Sequence, residues 1–126
     1  MATISEDYVG FETAELLKEK GFDEQTIRCY NLKKKLCACQ CIGKETINST
    51  PNYLIAAPTL QMTMKWLREI HHIHIRLINS SDESYRYEIY PREGKYRSSC
   101  FSDRCYYETY EEAAEAAIKY CLENLH

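Results

Sequence analysis

Apolar positions recur at helical spacing near the start of the chain, where Tyr8, Phe11, Ala14 and Leu17 share one side of a helix predicted over about residues 7–20. Ser5 can cap its first turn, and Gly21 offers a left-handed stop after which Phe22 folds back onto the helix. The period then shortens. Residues 26–32 (TIRCYNL) are rich in β-formers and read as a strand, with 36–42 as its hairpin partner through Lys33, Lys34 and Lys35. Residues 44–52, rich in Asn, Ser and Thr, read as a loop.

Residues 53–57 are extended, and Pro58 suits the first position of a helix running to about Glu69. Steps of 100° place Leu60, Thr63, Met64, Leu67 and Ile70 on its buried side, with Trp66 at the border as a wedge at the core edge. Strict alternation follows. His72, His74, Arg76 and Ile78 oppose Ile73, Ile75 and Leu77, and after a turn at 79–84, Tyr85, Tyr87 and Ile89 oppose Arg86, Glu88 and Tyr90. Pro91 and a turn at Glu93-Gly94 end that strand, residues 95–101 supply a third, and Tyr106-Tyr107 a short fourth.

The last helix opens on a capping box, Thr109 with Glu112 three residues on, and its face is read as Ala113, Ala114, Ala116, Ala117, Tyr120 and Cys121. Small residues let such a helix lie close to a sheet. The expected architecture is a single α+β domain over residues 1–126, an antiparallel meander of three to five strands against two or three helices.

Composition narrows the class. Apolar residues are 44% and charged residues 28% of the 126, with 4 Gly and 3 Pro, so collagen-like and disordered classes drop out. No apolar run approaches the ~20 residues of a membrane helix, and the acidic start does not read as a signal peptide, which leaves the cytoplasm as the expected compartment. Cysteine is in excess: 7 in all, an odd number, and the spacing of Cys37, Cys39 and Cys41 on a strand points all three thiols to one face. That geometry suits burial better than chelation, so neither a metal nor another cofactor is expected.

The stretches 57–71 (APTLQMTMKWLREIH) and 106–125 (YYETYEEAAEAAIKYCLENL), with the opening 8–24 (YVGFETAELLKEKGFDE), resemble a widespread group of small uncharacterised proteins from phages and prophages of gut bacteria. The resemblance implies an origin, an accessory phage protein acting inside a bacterial cell, and carries no activity to any position. The α-β-β-β-α order of residues 59–125 is also similar to double-stranded-RNA-binding domains, which place lysines at the start of the final helix. Here Glu108, Glu111, Glu112 and Glu115 occupy that place, and residues 106–126 hold one Lys against five Glu, so phosphate is repelled there and nucleic acid is not the expected partner.

Histidines 71, 72 and 74 cluster at one helix-to-strand junction, with His72 and His74 read as solvated imidazoles on one strand face. No nucleophile elbow, phosphate-cradling glycine loop or metalloprotease helix is present, so the reading is non-enzymatic. Charge is polarised although the net charge is only -3. Residues 84–104 hold five Lys or Arg against three acids, interleaved with tyrosine, which nominates Arg86, Tyr90, Arg92, Lys95, Tyr96, Arg97 and Arg104 as a ligand-binding face. Guanidinium forks beside tyrosine rings hold phosphates and stack on bases, and equally suit an acidic protein surface.

The expected function is therefore that of a phage counter-defence factor that sequesters an anionic nucleotide signal or caps a host protein. The alternative is a metal- or nucleic-acid-binding module built on the cysteine cluster and on residues 28–44, which hold five Lys or Arg and no acid. A homo-oligomer paired through exposed tyrosines and a sheet edge is a third arrangement.

Overall fold

The computed structural model describes residues 6–39, 46–48, 54–79, 84–91, 98–99 and 106–124. Among them the chain is α+β, with three helices and two antiparallel sheets. It divides into two compact units, residues 1–59 and 60–126. No helix among the described residues is long and apolar enough to cross a membrane.

The first unit holds α1 (Phe11–Glu19), β1 (Arg28–Tyr30), β2 (Leu36–Ala38) and β3 (Ile55–Ala56), the strands in the order β2-β1-β3. The first helix is shorter than its apolar pattern suggests. Tyr8 forms an antiparallel bridge with Thr59, and the Val9 N–H donates to the Pro58 carbonyl at 3.0 Å, so this segment is extended and Gly10 becomes the N-cap. The same bond overturns the helical placing of Pro58, because the second helix begins only at Leu60. The C-terminal stop is as expected: Gly21 has φ +92°, Gly21 N–H donates to the Lys18 carbonyl and Phe22 N–H to that of Leu17 at 2.8 Å, which is the Schellman pattern. Phe22 is buried with Val9, Ala14, Leu17, Tyr30 and Ile47. Asn48 secures the loop that delivers Ile47, donating to the Phe22 carbonyl at 2.9 Å and accepting from the Ala56 N–H at 3.0 Å.

The second unit runs α2 (Leu60–Ile70), β4 (Ile73–Asn79), β5 (Tyr85–Pro91), β6 (Ser98–Ser99) and α3 (Tyr110–Glu123), and its strands form a meander in the order β4-β5-β6. Thr109 caps α3 as its sequence predicts, its hydroxyl accepting from the Glu112 N–H at 3.1 Å. Both helices pack on the sheet and on each other. The covered sheet face carries Tyr87 and Ile89, with Tyr87 and Tyr120 of α3 at 6.4 Å between ring centroids. Tyr107 is joined to Tyr85 by two backbone hydrogen bonds of 2.8 Å, a single bridge in place of a fourth strand.

Two helical faces differ from their sequence reading. On α2 Trp66 is buried and Ile70 is exposed, since Ile70 lies in the last turn where the chain leaves for β4. On α3 Ile118 and Leu122 are fully buried, while Ala116 and Tyr120 lie at the margin. Larger aliphatic side chains therefore fill the α3 core beside Ala113, Ala114 and Ala117.

Burial raises two acids in this core. The Tyr87 phenol is pushed up to about 12 by burial first and then by Tyr107 and Tyr120, and the Cys121 thiol is pushed up to about 12 by burial. Both groups are neutral in the folded state, so their contribution is complete below the unfolded values, 10.0 for Tyr87 and 9.0 for Cys121, and is lost as pH climbs towards 12. Circular dichroism is expected to show alkaline unfolding in that window, and Tyr87→Phe to retain about 2 kcal/mol that the wild type loses there.

Candidate functional site

Because side chains alternate along a strand, the register of β4 on β5 decides which outward residues meet. His74 stands opposite Tyr90, Arg76 opposite Glu88 and Ile78 opposite Arg86. All six belong to the face opposite the one that carries Tyr87 and Ile89. His74 and Arg76 are exposed, while Arg86 and Tyr90 are half-buried. Glu88 also lies on this face and is buried, with Arg76 opposite it on β4.

Of the nominated residues, Arg86 and Tyr90 share this face, two strand repeats apart on β5. Arg92, Lys95, Tyr96, Arg97 and Arg104 lie outside the described residues. The register adds His74 and Arg76, which the charge count over residues 84–104 could not reach. Their outward alternation on β4 was the available signal. The two arginines occupy diagonal positions about 7–8 Å apart between Cα atoms, within reach of one extended anion. Arg76 stands opposite a carboxylate and Arg86 opposite an apolar side chain.

The histidines do not form one set. His71 ends the helical segment, its N–H donating to the Leu67 carbonyl, and its ring meets Trp66 edge-on at 4.6 Å. Its Nε2 is buried and has no hydrogen-bond partner among the described residues. Burial, and then the neighbouring His72, lower its pKa. His72 precedes β4 with φ +58°, so it also leaves the strand face assigned to it. Glycine adopts that left-handed geometry freely, and His72→Gly is expected to raise stability by about 0.5–1 kcal/mol in urea unfolding. A loss instead would show that the His72 side chain outweighs its backbone strain.

In the first unit Cys37 and Cys39 do share a face, as their spacing requires, and the third thiol among the described residues there is Cys29 of β1. Cys41 lies outside the described residues. Among the described residues no group of three His, Cys, Asp or Glu is placed to hold a metal ion. Two cations of the basic segment lie against rings, Arg28 over Tyr8 at 5.9 Å and Lys34 over Phe11 at 5.2 Å. No family model matches the chain, and neither does any curated protein or solved structure.

Proposed function

We propose that the chain is a non-enzymatic phage accessory protein of the bacterial cytoplasm, a counter-defence factor that holds an anionic host nucleotide on the outward face of β4 and β5. The resemblance of residues 8–24, 57–71 and 106–125 to phage proteins supports the setting. The observation that carries the ligand class is the register that gathers His74, Arg76, Arg86 and Tyr90 on one face. Guanidinium groups take the phosphates through paired charge-assisted hydrogen bonds, and the Tyr90 ring offers a plane for the base. The acidic first turn of α3, Glu111 and Glu112, argues against a nucleic-acid duplex.

Native mass spectrometry tests the proposal on protein purified from host lysate, with refolded protein as the blank. A nucleotide mass retained by the first and absent from the second is the expected result. Retention of a host protein in its place would assign the same face to an acidic protein surface. Neither retained, with Arg86→Ala silent in every phenotype, would remove the proposal.

A further inference from the structure

Cys29 and Cys37 occupy directly opposed positions of the β1–β2 hairpin, with their sulfurs 3.6 Å apart and unbonded. The turn that sets this register is well defined. Asn31 Oδ1 accepts from the N–H groups of Lys33 and Lys35 at 2.9 and 3.1 Å, and Lys34 adopts φ +61°, so the three-residue loop ends in a left-handed bulge. Opposed residues in an antiparallel pair have Cα atoms about 4.5–5.5 Å apart, inside the range of about 4.4–6.8 Å that a disulfide spans. Cys39 is the diagonal neighbour of Cys29, at about 7–8 Å, and its thiol donates to the Thr26 carbonyl at 3.5 Å.

We infer that Cys29 and Cys37 are a modification site, forming a reversible cross-strand disulfide on exposure to a low-molecular-weight disulfide. Cys37 is half-exposed, whereas Cys29 has no exposed surface. Burial, with Cys37 and Cys39 alongside, raises the Cys29 thiol well above its ordinary range. Cys37 is therefore the entry thiol. Its thiolate attacks the small disulfide, forming a mixed disulfide and expelling one thiolate, which takes up the proton that Cys37 lost. Cys29 then gives its proton to water and attacks the Cys37 sulfur, and the second thiolate leaves and is protonated. Two protein thiols become one disulfide, and one small disulfide becomes two small thiols.

The experiment is incubation of the reduced full chain with glutathione disulfide at neutral pH, followed by alkylation and peptide mass mapping. The expected product links the Cys29 and Cys37 peptides, lighter by two hydrogen atoms, and dithiothreitol reverses it. Amide exchange in β1 and β2 is expected to slow by about tenfold or more, since the closed loop restricts the opened hairpin. Cys37→Ser should abolish the link and Cys39→Ser should preserve it, with circular dichroism showing both variants folded. Cys29 joined to any other cysteine, Cys37 held permanently as the glutathione adduct, or both thiols still free would each overturn the inference.

Discussion

Leu67→Ala is expected to cost the second unit about 3 kcal/mol, whereas the same truncation at Ile70, less than one helical turn further along α2, should cost less than about 1 kcal/mol. A helical wheel places both side chains on one face. The fold separates them, leaving Leu67 with no exposed surface and Ile70 55% exposed. Removing the Leu67 methyls opens a cavity in a core too small to collapse around it, and a unit of this size has little stability in reserve. Trp66 is the single tryptophan of the chain and is buried on α2, so its fluorescence in a urea titration reports on this unit. Equal losses at the two positions would mean that α2 presents a different face from the one described.

Removing both guanidinium groups, Arg76→Ala with Arg86→Ala, is expected to weaken nucleotide binding about a hundredfold or more. Charge-assisted hydrogen bonds contribute roughly 1.5–3 kcal/mol each, and about 1.4 kcal/mol is a factor of ten. Arg86→Ala alone should account for the larger part, because Arg76 stands opposite Glu88 whereas Arg86 stands opposite Ile78. Wild-type affinity should fall as salt is raised, and the double variant should lose most of that dependence. Isothermal titration with a cyclic or linear dinucleotide would measure both. Arg76 is exposed and Arg86 half-buried, so circular dichroism should stay unchanged, and a double variant that binds within twofold of wild type would refute the assignment of this face.

Local chemistry made much of the fold legible. The Thr109 hydroxyl on the Glu112 N–H, the left-handed Gly21 and the alternation of residues 73–79 and 85–90 each depend on neighbours a few positions away, so a reader of the chain meets the cause and its effect together. The candidate face was legible by half. Arg86 and Tyr90 stand out through the basic, tyrosine-rich stretch around them, but His74 and Arg76 join them only because Ile75 registers against Ile89.

Periodicity and capping thus account for which residues become helix or strand and which side of each strand turns outward, since these follow from bonds and sterics within one or two turns of chain. The pairing of Cys29 with Cys37, the burial of Trp66 and Ile118 in preference to Ile70 and Tyr120, and the bridge that holds Tyr8 out of the first helix all involve partners distant in the chain or the reach of a neighbouring layer. Those choices arise when surfaces compete for cover, and that competition exists only once the elements have met in space.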